Sequence, residues 1–294
     1  MKHFLAQLET KIDTSLGEGP LWHKDQNRLY FVDIVNFKVH SYDPVTKDKS
    51  EWAFPSYVGA IARGDRNELF VAAQNELVLL DTQAGSTKTI LSFDLAKDIR
   101  FNECKCDRQG RFWMGTMHLE AKKGAGAFYR VDLDGSVIKL LSNLSVPNGF
   151  CWSLDNQYMY HIDSFDYAVK RFDYNEEPGS LTNPGVVISL PSDSMLPDGM
   201  CIDRNGNLWI AMWGGNKVAC YNPKDGELIA QVEVPAPHVT SCAFGGDNFD
   251  TLYITTARMG LTDDQLEEYP LSGSVFSCDV EERGFESFQC KIQL

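Results

Sequence analysis

Three oxygen-bearing residues lie far apart in the chain yet share one local setting: Glu18-Gly19, Asn148-Gly149 and Asp198-Gly199. Two carboxylates and an amide oxygen are hard donors, suited to Ca²⁺, Mg²⁺ or Mn²⁺ with water completing the shell. Converging carboxylates with no cation between them would repel each other or hold a proton. The plainer alternative is polar side chains that only solvate a wet channel. Either way, residues this distant in sequence meet only if the fold repeats.

The repeat is present. A short apolar run with a large aromatic recurs at Tyr30, Phe70, Trp113, Tyr160, Trp209 and Tyr253, in steps of 40, 43, 47, 49 and 44 residues. Each run follows a turn led by Asp25, Asp65, Asp107, Asp155, Asp203 or Asp247, five or six residues before the aromatic. Asp-Arg-Asn and Asp-Arg-Asn-Gly are tight-turn chemistry between strands. A second strand closes each unit on Asp43, Asp81, Asp132, Asp173, Asn222 or Asp279, and further apolar strands follow most of them, such as 89–93, 137–141, 186–190 and 229–234. Units of 40–50 residues with four strands each predict an all-β fold, a six-bladed β-propeller with four antiparallel strands per blade. A long β-sandwich would not explain six copies of one pattern. The whole chain, 1–294, is expected to form one domain. The segment from Phe4 to Ile12 precedes the first unit and is expected to supply an outer strand that closes the last blade, which otherwise leaves an open edge.

Aligning the units on the aromatic places Glu18, Val58, Asn102, Asn148, Asp198 and Ser241 at the start of the innermost strands, 11 or 12 residues upstream. Glycine follows in four of the six, so the backbone there is under a common demand. Innermost strands line the channel, and these side chains should converge at one mouth. Two units carry long insertions between their second and third strands, at 116–127 and 256–273. In an up-and-down blade those loops rise around the same mouth, as walls of a ligand pocket do.

With 27 Lys and Arg against 41 Asp and Glu, the 294-residue chain has a net charge of −14 and a pI near 4.8. That balance argues against nucleic acid and against anionic membrane surfaces as partners. Residues 1–15 carry no apolar signal core, and no stretch approaches eighteen apolar residues, so a cytoplasmic protein is expected. The eight cysteines then serve as ordinary core residues rather than a disulfide framework, including the pair Cys104-Lys105-Cys106. There is no G-x-S-x-G, H-E-x-x-H, P-loop or G-x-G-x-x-G, and the six histidines show no zinc spacing.

At these residues the chain resembles the senescence-marker-protein, or gluconolactonase, family of regucalcin-like sugar lactonases. The resemblance is carried by Leu16 through Trp22 (LGEGPLW), Arg100-Phe101-Asn102 with Gly115-Thr116-Met117, Pro147-Asn148-Gly149, Pro197-Asp198-Gly199, Ala211 through Gly215 (AMWGG) and Thr255 through Gly260 (TTARMG). It covers about residues 13–280. It implies one divalent metal ion held by Glu18, Asn148 and Asp198, with Ca²⁺ the first expectation and Zn²⁺, Mn²⁺ or Mg²⁺ as alternatives. It also implies that Arg100, Asn102 and Glu120 contact the sugar. Cysteines stand at 104 and 106 where the family pattern Asn-Asp-Gly-Lys-Val has Gly and Val.

The expected activity is metal-dependent hydrolysis of a sugar lactone to its aldonic acid, by a monomer or small homo-oligomer. A cation would polarise the carbonyl, and Asp198 would act as general base. A hydrolase of aryl esters or phosphotriesters and a non-catalytic calcium-binding regulator are the alternatives.

Overall fold

The structure is a computed structural model that describes residues 1–190 and 195–293. Two short strands open the chain, β1 (Lys2–Leu5) and β2 (Gln7–Thr10). Four-stranded antiparallel sheets follow in chain order. The first is β3 (Gly17–His23), β4 (Arg28–Asp33), β5 (Lys38–Tyr42) and β6 (Lys49–Ala53). The second is β7 (Val58–Arg63), β8 (Glu68–Ala73), β9 (Glu76–Asp81) and β10 (Thr87–Ser92). Next come β11 (Ile99–Cys106), β12 (Phe112–His118), β13 (Gly126–Val131) and β14 (Val137–Leu144), then β15 (Pro147–Trp152), β16 (Tyr158–Asp163), β17 (Ala168–Asn175) and β18 (Ser180–Ser189). The remaining strands are β19 (Leu196–Ile202), β20 (Leu208–Trp213), β21 (Lys217–Tyr221) and β22 (Leu228–Glu233), and then β23 (His238–Gly245), β24 (Thr251–Ala257) and β25 (Val275–Asp279).

These seven strands, together with β1 and β2, form one continuous nine-stranded sheet rather than separate units, because Trp213 of β20 bridges His238 of β23. Their rings stack at 4.0 Å, and that contact brings the two backbones into register. The N-terminal segment also divides: β1 runs parallel to β22, while β2 pairs antiparallel with β25. Phe4 and the segment after Leu5 therefore serve two neighbouring stacks of strands.

The first strands of successive units, β3, β7, β11, β15, β19 and β23, each lie against the next, and β23 returns to β3. The arrangement is that of a β-propeller, an all-β fold of radially stacked sheets. Burial follows position in the blade. The innermost β15 is buried throughout and the outermost β6 is almost wholly exposed. In the two units whose aromatic is tryptophan, the Asp-to-aromatic spacing has a direct cause. Asp107 Oδ2 accepts from the Trp113 indole N–H at 2.8 Å, and Asp203 Oδ2 from Trp209 at 3.0 Å, while each Asp also binds backbone of its own turn. One carboxylate thus ties the turn to the inter-sheet core. The ring closes through Trp22 stacked on Tyr253 at 5.4 Å, and through Thr240 Oγ1 donating to the Gly17 carbonyl at 2.6 Å.

Between β24 and β25 a helix, α1 (Asp263–Glu268), occupies the long insertion that strand periodicity left as a loop. A capping box starts it: Thr262 Oγ1 accepts from the Gln265 amide, and the Gln265 side chain reaches back to Thr262 N.

Candidate active site

The polar mouth is built from irregularities in the sheets. In every innermost strand the pairing with the second strand slips at the same place: after Glu18, Val58, Phe101, Pro147, Pro197 and Val239. A bulge leaves residues out of the ladder and re-aims their side chains. Asn102, Asn148 and Asp198 fall inside these slips and Glu18 borders its own. In the last unit the slipped residue is Thr240, so Ser241, aligned here by sequence, is one place late and pairs regularly with Thr255. The glycines next to these positions answer a second demand. A Cβ on Gly59 would strike the Phe101 carbonyl, one on Gly149 the Met200 backbone, and one on Gly199 the Ser241 side chain. Gly19 instead adopts φ +54°, the left-handed region open to glycine. Adjacent innermost strands approach too closely for a side chain, and that approach brings the donors together.

Glu18, Asn148, Asp198, Arg100 and Asn102 are all buried. A directed chain of hydrogen bonds links Arg100, Asn102 and Asn148. Arg100 donates from Nη1 to the Phe101 carbonyl at 2.8 Å and to Asn102 Oδ1 at 2.7 Å. Asn102 Nδ2 donates to the Pro147 carbonyl at 3.0 Å and to Asn148 Oδ1 at 3.2 Å. Asn148 Nδ2 donates to Ser164 Oγ at 3.1 Å, and Ser164 gives its one hydroxyl proton to the Pro197 carbonyl at 2.7 Å. Because that proton is committed, Ser164 can only accept from Asn148, which turns the Asn148 oxygen toward Asn102 and the axis.

The carboxylates are electrostatically costly as they stand. Burial pushes Glu18 up to about 8, with the Glu103 charge adding to it and the Gly19 N–H, 2.9 Å from Oε2, opposing it. Asp198 is held well above the ordinary carboxylate range by burial and by Glu18. Its Oδ1 is buried with no hydrogen-bond partner. Arg100 is lowered to about 10 by burial, against the pull of Glu18 and Asp198. A cation between the two carboxyls would offset that electrostatic cost and let both ionise. The donor set of two carboxylates and the Asn148 amide oxygen fits a hard divalent ion. Among the described residues no cluster of three His, Cys, Asp or Glu has metal-binding geometry; the set here is completed by an asparagine oxygen.

Glu120 is not part of this cluster. It sits on the loop after β12 with its side chain 73% exposed, 3.3 Å from Lys122. Two participants were missed from sequence. Glu103 is buried beside the site, 3.9 Å from the Lys105 ammonium, and its carboxyl is raised by burial. Its place directly after Asn102 was the available signal. Ser164 gave none, since no other unit repeats it.

A β-propeller whose innermost strands gather buried acids, amides and an arginine at one axial point defines a class with a polar centre in its channel. Within that class, this chain belongs to the family whose model is described as the SMP-30/Gluconolactonase/LRE-like region, which matches residues 16–258. The Bacillus subtilis (strain 168) protein YvrE, whose name carries a provisional assignment as a sugar lactone lactonase, is 37% identical over 282 residues, 96% of this chain and 97% of that one. Regucalcin of Danio rerio is 33% identical over 278 residues, 94% of each chain. The crystal structure of a calcium-binding protein, regucalcin, from Agrobacterium tumefaciens strain C58 superimposes with a TM-score of 0.93 at 29% identity, covering 100% of this chain and 99% of that one.

Proposed function

We propose that this chain is a single six-bladed propeller domain that hydrolyses a sugar lactone to the aldonic acid in a divalent-metal-dependent reaction. The observation that carries the proposal is the unpartnered, buried Oδ1 of Asp198, its carboxyl set against Glu18 beside the hydrogen-bonded network of Arg100, Asn102 and Asn148. Family membership and the named relatives support lactone-hydrolase chemistry.

Glu18, Asn148 and Asp198 would hold the cation, with Ca²⁺ the first expectation and Mg²⁺, Mn²⁺ or Zn²⁺ the alternatives. When bound, it supplies Lewis-acid polarisation of the lactone carbonyl and compensates the two buried charges. Arg100 presents its remaining guanidinium N–H groups to sugar oxygens, and Asn102, whose amide protons are engaged by the Pro147 carbonyl and Asn148, accepts from a sugar hydroxyl at Oδ1. Glu120 accepts from sugar hydroxyls at the rim. Asp198 takes a proton from the attacking water at a carboxylate oxygen and returns it to the ring oxygen as the acyl C–O bond breaks. The products are one carboxylic acid and one new hydroxyl, so atoms balance with water alone.

A panel of glucono-, galactono-, xylono- and arabinonolactone, run with and without chelator, tests this. Chelator-sensitive turnover of at least one is expected; no rate above spontaneous hydrolysis on any would sink the proposal. A second reading, calcium binding without turnover, is favoured by the description of the Agrobacterium relative as a calcium-binding protein. Calorimetric Ca²⁺ binding with a silent lactone panel and no aryl-ester or phosphotriester turnover would select it. The acidic chain, with no helix among the described residues long and apolar enough to cross a membrane, fits a small-molecule enzyme of the cytoplasm.

A further inference from the structure

His118 is the last residue of β12, 5% exposed, and lies at the root of the loop that carries Glu120. Both of its ring nitrogens are engaged. The backbone N–H of Glu120 donates to Nδ1 at 3.0 Å, and Nε2 lies 2.8 Å from Asp98 Oδ2. A backbone amide can only donate, so Nδ1 must be bare, and the single proton of the neutral ring sits on Nε2, pointing at Asp98. Two further bonds complete the turn: Leu119 N donates to the Asp98 carbonyl and Ala121 N to the His118 carbonyl, both at 2.8 Å. Ala121 takes φ +50° as the chain reverses. Beyond this point the loop is open to solvent, with the Lys122 side chain 59% exposed. The buried imidazole is therefore the one side chain that ties the Glu120 backbone to the strand pair β11–β12, on which Arg100 also stands.

We propose that His118 is a positioning residue: it acts through the Glu120 backbone to set where the Glu120 carboxylate meets a sugar hydroxyl, without touching substrate itself. This rests on the reading of Glu120 as a substrate contact. Asp98 fixes the tautomer and ring plane from the far side. A lone buried histidine serving only to fill space would not need both nitrogens aimed at the same turn.

The test is a double-mutant cycle on whichever lactone the wild type hydrolyses. Glu120→Ala and His118→Ala should each raise KM about five- to tenfold, the worth of one hydrogen bond, with kcat within about twofold. In the Glu120→Ala background, His118→Ala should change KM by less than about twofold, because the two residues act in series. His118→Asn places an amide oxygen where Nδ1 stands and should recover most of the loss. His118→Gln reaches toward Asp98 instead and should not. A readout independent of turnover is trypsin cleavage after Lys122 and Lys123, which His118→Ala should accelerate several-fold and His118→Asn should not. Additive KM effects, or trypsin rates unchanged in His118→Ala, would overturn the positioning role. If the wild type turns over no lactone, the lactonase reading fails, while the cleavage rates still decide whether His118 holds the loop.

Discussion

Along the same innermost strands, Leu21 follows Glu18, Cys151 follows Asn148 and Cys201 follows Asp198 by three positions, and the two levels are chemically opposite. The first level holds buried acids and amides. The second lines a 210 Å³ cavity at the other end of the channel with Leu21, Ile61, Cys151, Cys201 and Cys242, roofed by Phe285 and Phe288. Burial is nearly equal at both ends, but its consequence differs. Burial pushes the Cys151 thiol up to about 12 and Cys201 well above its ordinary value, and both remain neutral and content. The same burial raises Glu18 to about 8 and holds Asp198 well above the carboxylate range, so without a cation these oxygen acids are pushed toward the protonated form in which neither can act as a charged ligand or base. Sulfur at one level and oxygen at the other separate packing from chemistry within a single strand, and the bulge between them marks the border.

That contrast is sharpest at Asp198. Asp198→Asn keeps an oxygen of similar size but removes the charge and the proton acceptor; kcat should fall roughly 10²–10⁴-fold and cation affinity should weaken. Equal rescue of Asp198→Asn and Glu18→Gln by excess cation would reduce Asp198 to a ligand, since only Glu18→Gln is expected to recover. Arg100→Ala removes a substrate donor and leaves the cation's ligands in place, so kcat/KM should drop about 10- to 100-fold with unchanged cation affinity by calorimetry.

A smaller effect tests the unneutralised acids. Glu18 is raised in the folded state, so the folded protein binds a proton that the unfolded chain has already lost above about pH 4.5. Stability of the chelated protein should therefore be fullest near the unfolded value and decline as pH rises toward about 8. Melting temperatures measured from pH 5 to 8 should show this slope with chelator and a flatter one with Ca²⁺; identical slopes would mean that no cation binds between the acids. The smallest effect belongs to the thiol level. Cys201→Ser swaps one small neutral group for another 3.7 Å from Cys242 and should leave kcat and cation affinity within about twofold, at a modest cost in stability typical of a core polar swap.

Much of this was legible before any coordinates, for identifiable reasons. In the two tryptophan units the Asp–aromatic spacing was readable because one carboxylate serves both a turn and an indole, as at Asp107 and Trp113. The glycines were readable because neighbouring backbones exclude a side chain at 59, 149 and 199. What stayed hidden depends on contacts without local pattern. Ser164 orients Asn148 across 16 residues by a single hydroxyl. The exposure of Glu120 depends on a loop path that no periodicity encodes. The division of the N-terminal segment between β22 and β25 is a choice between two open edges that look alike in sequence.

That division has a consequence for the timing of synthesis. The residues of β2, Gln7–Thr10, find their partner only in Val275–Asp279. At roughly 5–20 residues per second, a ribosome needs on the order of 15–60 s to deliver that partner. Through this interval the leading strand is an unsatisfied edge on a nascent chain, and the earliest residues made are among the last to acquire their native neighbours.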